Sequence, residues 1–171
     1  YRYHHLFQDF LRIRLEKQDQ SNLHLKAVKW LMSNGFAPEA VKHALASGVT
    51  ETTVQVITQA SVEAFNQVAF QSVLGWLDSL PEAVVCSHTE LAVIKGVSCF
   101  LIRSPEEARP YIQAAENNRI QSAPLTIQGQ YFYAKALLAF CDSQLNFCIE
   151  SAKNALDYLG EDQPVLRNFT M

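Results

Sequence analysis

Two segments decide the fold: Lys95-Gly-Val-Ser-Cys-Phe100 and, 40 residues later, Lys135-Ala-Leu-Leu-Ala-Phe140. Both lie in apolar stretches with the three-and-four spacing of a helix. Small or apolar residues coincide at the same offset further along the chain: Ala108 with Cys148, Ile112 with Ala152, and Ala115 with Ala155. Small side chains are needed where two helices of a hairpin approach closely, so the offset predicts two copies of one helical hairpin.

The repeat predicts four helices, over about 88–102, 105–118, 124–141 and 145–159. Stacked hairpins of this kind are typical of tetratricopeptide-like arrays, although 40 residues exceeds their usual period of about 34. The predicted class is therefore all-α, a tetratricopeptide-like superhelix preceded by a helical arm. With two visible units, an ordinary helical bundle stays open as the alternative.

Residues that begin and end helices punctuate the rest of the chain. Gly35 and Gly48 each follow a periodic apolar stretch, as C-terminal caps do. Pro38 begins the stretch between them. Ser104-Pro-Glu-Glu107 is a capping box in which Ser104 accepts from the N–H of Glu107. No alternating run longer than Tyr1–His4 favours a strand.

Composition and charge exclude several classes. The 171 residues are 49% hydrophobic and 18% charged, as expected of a folded chain. A net charge of -3 provides no basic surface, so we expect no direct nucleic-acid contact. The apolar runs are too short to span a bilayer, and no secretory pattern opens the chain. We expect a cytoplasmic protein that does not contact membranes.

Metal-binding patterns are missing. The four cysteines lie among apolar neighbours and form no C-x-x-C pair, which favours reduced, mostly buried thiols. A disulfide or a metal site stays open as the minor alternative. His4-His5 would point to opposite faces of a strand, and His43 looks like an isolated residue on a helix surface. We therefore predict no metal site.

Catalytic motifs are missing as well. The sequence contains no phosphate loop, no G-x-G-x-x-G, no G-x-S-x-G and no H-E-x-x-H. Its acidic residues are scattered or lie at helix starts and turns. We expect this chain to be no enzyme and to hold no cofactor of its own.

Four residues are candidates for a binding surface. Gln128 and Lys135 share a helix face with Tyr131 at spacings of three and four, and Lys95 is the repeat equivalent of Lys135. In a curved array this face would line the concave side, the usual binding surface. The alternative is a solvated helix face anchored by one tyrosine. The other large aromatics, Trp30, Phe36 and Trp76, are expected in the core.

The first 48 residues carry a resemblance. They contain Tyr1-Arg-Tyr-His-His-Leu-Phe-Gln-Asp-Phe-Leu-Arg12, then Ala27-Val-Lys-Trp30, then Asn34-Gly-Phe-Ala-Pro-Glu-Ala-Val-Lys-His-Ala-Leu-Ala-Ser-Gly48. This pattern resembles the MalT-like family, large ATP-binding transcriptional regulators of the LuxR type within the STAND class of signal-transduction ATPases. Both ends of the chain also look like cuts, which favours a fragment of a larger modular protein.

The resemblance implies a domain organisation and partners. Residues 1–18 would end a winged-helix domain, 19–84 would form a helical arm, and 85–171 would begin a tetratricopeptide-like sensor array. ATP would bind a domain upstream, a small-molecule or protein effector would bind the array, and the parent protein would self-associate and contact DNA further downstream. Val49-Thr50-Glu51 departs from the pattern, because an acidic residue is expected directly after Gly48.

The sequence leaves two functions open. The first is a signal-coupling and sensor fragment in which effector binding shifts the arrangement of arm and array, with Gly35 and Gly48 as hinges. The second is a stand-alone helical-repeat adaptor that binds a protein or a peptide. Flanking sequence and oligomeric state distinguish the two.

Overall fold

A computed structural model describes residues 20–161 and 163–170 of the chain. This part contains ten α-helices and one 3₁₀-helix and no strand, which confirms the all-α class. The predicted end of a winged-helix domain, residues 1–18, and the His4-His5 pair lie outside the described residues.

The helices follow one another through short turns, as the proline and glycine positions predict. Their bounds are α1 Gln20–Ser33, α2 Ala37–Ser47, α3 Thr50–Asn66, α4 Phe70–Asp78, α5 Glu82–Ser87, α6 Thr89–Ile102, α7 Pro105–Asn117, α8 Leu125–Cys141, α9 Leu145–Tyr158 and α10 Pro164–Thr170. The 3₁₀-helix Ile120–Ser122 lies between α7 and α8. The chain divides into two compact units, Tyr1–Val56 and Ile57–Met171, with the division inside α3.

In the first unit, α1 and α2 form a helical hairpin. Its buried face contains Val28 on α1 and Ala40, Val41 and Ala44 on α2. At one end of the hairpin, the Ser21 hydroxyl donates to the carbonyl oxygen of Ser47 at 2.7 Å. The small alanines allow the two helices to approach closely, and the serine contact fixes their register.

Glycines end both helices of this hairpin, as predicted. Gly35 and Gly48 have φ of 78° and 72°, in the left-handed region that side chains with a Cβ rarely adopt. A Cβ at either position would meet nothing within 4 Å, so the requirement for glycine lies in the backbone angle alone. Their proposed role as hinges stays a prediction.

The expectation that Trp30 and Phe36 lie in the core is wrong. Their exposed fractions are 60% and 48%, and their rings stack on each other with centroids 6.0 Å apart. The buried face of α1 is centred on Val28, and a residue two positions later points about 200° away around the helix axis. Trp76, in the second unit, is half-buried.

The second unit contains the two predicted hairpins, α6 with α7 and α8 with α9. The four helices lie within two residues of their predicted bounds. Ser104 caps α7 by accepting from the N–H of Glu107 at 3.2 Å, which confirms that part of the capping box. In addition, α6 packs against α4 and α8, and α10 packs against α8 and α9.

Each hairpin has one position where a glycine allows close packing. A Cβ on Gly96 of α6 would lie 2.5 Å from Cδ1 of Ile112 on α7. In the second hairpin the corresponding crowding is at Gly129, where a Cβ would lie 2.8 Å from the backbone nitrogen of Leu159. The repeat aligns Gly96 with Ala136, not with Gly129. The two hairpins therefore have the same helix order but place their closest contact at different positions.

The cysteines are all free in the structure. Cys99 is buried, Cys86 and Cys148 are half-buried, and Cys141 is exposed. The expectation of mostly buried thiols is therefore wrong for Cys141, which is the last residue of α8.

Within residues 20–161 and 163–170, the helices are too short or too polar to cross a membrane.

Candidate ligand-binding groove

A groove of about 490 Å³ separates α7 from α8 and the start of α9. One wall and part of the floor come from α7, and the rest of the floor and the other wall come from α8, the following turn and α9. The lining residues are Glu106, Arg109, Pro110, Ile112, Gln113, Glu116, Lys135, Leu138, Ala139, Asp142, Gln144 and Phe147. Its volume lies within the range of small-molecule sites, about 300–1,000 Å³.

Glu116 organises one end of the groove. Its Oε1 accepts from the Tyr131 hydroxyl at 2.6 Å and from the Lys135 ammonium at 2.9 Å. The Lys135 nitrogen also lies 5.6 Å from the centre of the Tyr131 ring and 5.2 Å from that of Phe147. One carboxylate on α7 thus holds two side chains of α8.

These contacts shift the titration of both partners. The hydrogen bond from Tyr131, followed by that from Lys135, lowers the pKa of Glu116. Burial, followed by the hydrogen bond to Glu116, raises the pKa of Tyr131 well above its usual value. At neutral pH the pair therefore consists of a carboxylate and a neutral phenol that donates to it.

A second ion pair closes the other end of the groove. Arg109 donates from Nη1 to Oδ2 of Asp142 at 3.0 Å and from Nη2 to Oδ1 at 2.6 Å. This bidentate geometry is the strong form of an arginine–carboxylate contact. The hydrogen bonds from Arg109 lower the pKa of Asp142 although both side chains are largely exposed to water.

Between the two ion pairs the floor of the groove is apolar. Ile112, Leu138 and Ala139 form its floor, and each is less than a tenth exposed. Phe147 is 42% exposed and lines one side. Arg109 and Glu116 are seven residues apart on α7, so the apolar stretch is about 10 Å long.

The lining suits non-covalent binding of an amphipathic molecule. It offers charges of both signs at its ends and an apolar floor with an aromatic wall between them. The described side chains that line it include no serine, threonine, cysteine or histidine. Among the described residues, no group of three or more His, Cys, Asp or Glu side chains is placed to hold a metal ion.

The predicted binding residues separate into two places. Tyr131 and Lys135 meet at Glu116, at one end of the groove, although Tyr131 is only 4% exposed. Gln128 lies one turn earlier on α8 and donates from Nε2 to the carbonyl oxygens of Gln121 and Ala123, at 3.3 Å and 2.8 Å. It ties the preceding turn to α8 and does not line the groove.

Lys95 lies at a different junction, between α4, α6 and α7. Its ammonium is 3.0 Å from Oδ1 of Asp78, which also accepts from Arg103, and it lies 5.0 Å from the centre of the Tyr111 ring. Burial alone would lower the pKa of Lys95, but the hydrogen bond and charge of Asp78, together with Tyr111, raise it. As binding residues, all four candidates stay predictions.

Apart from Lys135, the residues that form the polar ends and the aromatic side of the groove were not predicted from the sequence: Arg109, Glu116, Asp142 and Phe147. Arg109 and Asp142 are 33 residues apart, and no local pattern connects them. A weak signal existed for Glu116, because an acidic residue precedes Lys135 by 19 positions and Asp78 precedes Lys95 by 17. Phe147 looked like one more apolar residue of its helix.

The chain is similar to two kinds of known protein. It is 26% identical over 167 residues to the HTH-type transcriptional regulator MalT of Vibrio campbellii, which covers 93% of this chain and 18% of that protein. It is 32% identical over 111 residues to the serine/threonine-protein kinase PknK of Mycobacterium tuberculosis and of Mycobacterium bovis. That match covers 63% of this chain and 10% of the kinase.

These matches cover only a small part of each relative. The chain spans less than a fifth of the length of the curated relatives it matches. No protein-family model and no solved structure matches it significantly. The similarity to a MalT-type regulator nevertheless runs through nearly the whole chain, beyond the first 48 residues that suggested it.

Proposed function

We propose that this chain is a non-catalytic sensor and signal-coupling segment of a MalT-like transcriptional regulator. Its groove between α7 and the α8–α9 hairpin binds the effector. The observation that carries the proposal is an apolar floor about 10 Å long between two ion pairs, Arg109 with Asp142 and Glu116 with Lys135. An effector with an apolar body and polar ends fits that pattern.

The similarities support a coupling role. One relative is named as a kinase and the other as a transcriptional regulator, yet both contain a segment similar to this chain. A segment found beside different activities is suited to a task that both can use, such as effector or protein binding. In this proposal the chain holds no cofactor, and ATP binds another domain of the parent protein.

Signal transfer follows from differential binding. An effector shifts an equilibrium only as far as it prefers one of two arrangements. Ion pairs that join α7 to α8 supply such arrangements, because a ligand that binds between the helices favours one spacing of their walls. The parent protein then self-associates and controls transcription, and this segment makes no direct contact with DNA.

The competing function is a helical-repeat adaptor for a protein or a peptide. The exposed Phe147 beside an apolar floor favours it, because one aromatic or aliphatic side chain of a peptide would fill the same space. Both functions use this groove. They differ in ligand class and in the domains that flank the segment.

The test begins with a thermal-stability screen of the 171-residue chain against a library of small metabolites and a library of short peptides. Gln113 is exposed on the α7 wall and donates from Nε2 to Glu116 and Asn117, so Gln113→Trp fills the groove at the loss of these two exposed hydrogen bonds and of no core contact. Gln71 is exposed on α4 and provides the matched control, Gln71→Trp.

We expect a stabilising ligand whose Kd rises at least tenfold, or about 1.4 kcal/mol, in Gln113→Trp and stays unchanged in Gln71→Trp. A metabolite supports the regulator, and a peptide supports the adaptor. A ligand that binds all three proteins equally well would place the effector site elsewhere and overturn the proposal.

A further inference from the structure

A pair of histidines joins the two helices of the first unit. His24 on α1 and His43 on α2 face each other with their Nδ1 atoms 2.8 Å apart. Their rings are tilted by 45° with centroids 5.0 Å apart, and both are half-buried. His43 is therefore not the isolated surface residue that the sequence suggested.

This distance fixes how many protons the pair can hold. Two nitrogens at 2.8 Å make a hydrogen bond only if one carries a proton and the other a lone pair. In the neutral pair, one ring is protonated at Nδ1 and the other at Nε2. A first added proton leaves the bond intact. A second would put an N–H on both Nδ1 atoms and set two cations against each other.

Within the described helices, few charged groups surround the pair. One turn away on α1 lie Gln20, Ser21 and Val28, none of them charged. On α2, Glu39 lies one turn before His43 and is exposed. The helix that follows, α3, contacts α2 through Thr53, whose hydroxyl donates to the carbonyl oxygen of Ala44 at 3.0 Å.

Other charges near the pair are exposed to water. Lys26 on α1, Lys42 on α2 and Glu51 on α3 are the nearest along their helices, and all are exposed. No described side chain of opposite charge forms an ion pair with either imidazole. Among the side chains that the structure describes around the pair, none therefore compensates a second positive charge.

We propose that His24 and His43 form a proton-dependent latch between α1 and α2, closed when the pair holds at most one extra proton and opened by the second. The latch lies between the Ser21–Ser47 contact at one end of the hairpin and the buried Val28 and Ala40. When it opens, α1 and α2 separate first at the end that carries Ser21 and Ser47. This device is independent of the groove and of its ligand.

The direction of the pH effect follows from proton counts. Histidine changes charge between about pH 5 and pH 8. Two Nδ1–H groups cannot face each other at 2.8 Å, so the second proton enters only when the hairpin opens. The unfolded state then binds more protons, so the stability of the hairpin falls as the pH falls.

The test compares hydrogen exchange of the 171-residue chain at about pH 7.5 and about pH 5 with that of His24→Gln/His43→Gln. Protection factors corrected for intrinsic exchange remove the direct effect of pH. In the wild-type chain, we expect protection of the α1 and α2 amides to fall at least tenfold more than in the double variant. Amides of α8 serve as the internal reference.

A second measurement needs no substitution. Nitrogen-15 chemical shifts of the imidazoles in the wild-type chain report which nitrogens carry protons. We expect one Nδ1 to stay unprotonated as long as the α1 and α2 amides stay protected. Both Nδ1 atoms protonated in a hairpin with undiminished protection would overturn the proposal, as would equal pH dependence in the wild type and the double variant.

Discussion

The two lysines that the repeat aligns make the same contact in different surroundings. Lys95 and Lys135 each reach a carboxylate on an earlier helix, Asp78 and Glu116 respectively, and each lies near an aromatic ring. Yet the Lys95 side chain is 6% exposed, whereas that of Lys135 is 23% exposed and lines a groove. The two repeats therefore share an ion pair between neighbouring helices, but the lysine is enclosed in the first repeat and borders a groove in the second.

Neighbouring side chains explain the difference. At the first junction, Asp78 also holds Arg103, and Tyr111 lies beside Lys95, so the cation is enclosed. At the second junction, Glu116 also accepts a hydrogen bond from the buried Tyr131. Lys135 faces the half-exposed Phe147. The first junction is suited to stability and the second to binding.

The largest expected effect concerns the glycines of the two hairpins. Gly129→Ala should destabilise the protein by about 2 kcal/mol, because the new Cβ meets the backbone of Leu159, which cannot move aside. Gly96→Ala should cost less, about 1 kcal/mol, because the new Cβ meets side-chain atoms of Ile112, Cδ1 at 2.5 Å and Cγ1 at 2.9 Å, which can shift more easily than backbone, and because it gains helix propensity. Urea unfolding at neutral pH measures both.

The control for these substitutions is Gly75→Ala. Gly75 lies within α4, is exposed, and has nothing within 4 Å of its added Cβ. This variant should be more stable than the wild type by about 0.5–1 kcal/mol. Equal losses in Gly96→Ala and Gly129→Ala would contradict the inferred difference between the two hairpins.

The next largest effect is expected at the lysines themselves. Lys95→Met should destabilise the protein by about 1–2 kcal/mol, less than the full cost of breaking a buried pair, because Asp78 is partly exposed and retains Arg103. Lys135→Met should cost less than about 1 kcal/mol, as is usual for partly exposed pairs. Thermal unfolding of both variants side by side would reveal any reversal of this order.

A smaller effect is expected in acid at Glu116. Its pKa is lower in the folded protein than the unfolded value of about 4.3, so its contribution is present above that pH and is lost as the pH falls through the folded-state pKa. Because the carboxylate is partly exposed, we expect less than about 1 kcal/mol. Glu116→Gln should lose stability at neutral pH and show a flatter acid profile below about pH 4.3.

Fluorescence-detected urea unfolding at several pH values measures this profile. Glu90→Gln is the matched control, because Glu90 lies in the first turn of α6 and forms no ion pair with another described side chain. Parallel acid profiles for the wild type and Glu116→Gln would show that the contacts of Glu116 contribute nothing to stability.

The helices could be predicted because their signals are local. The bounds of α6 to α9 follow from apolar spacing, from Pro105 and from the Ser104 cap, all within a few residues of each boundary. The exposure of Trp30 could not be predicted in this way. Its helix carries apolar residues on more than one side, and only the packing of α2 decides that Val28 faces inwards.

The groove could be predicted only in part, for the same reason. Tyr131 and Lys135 share a helix face, so spacing alone brought them together. Their common partner Glu116, and the Arg109–Asp142 pair, come from other parts of the chain and meet only when the hairpins stack. The His24–His43 contact likewise depends on the register of two helices and leaves no signal in either one.

The most direct test of the account measures ligand affinity at the two junctions. A ligand found by the thermal screen is titrated calorimetrically into the wild-type chain, Lys135→Met and Lys95→Met. The account predicts that Lys135→Met weakens binding about tenfold, or about 1.4 kcal/mol, while Lys95→Met loses stability and keeps its affinity. Equal weakening in both variants, or undiminished binding by Lys135→Met, would contradict it.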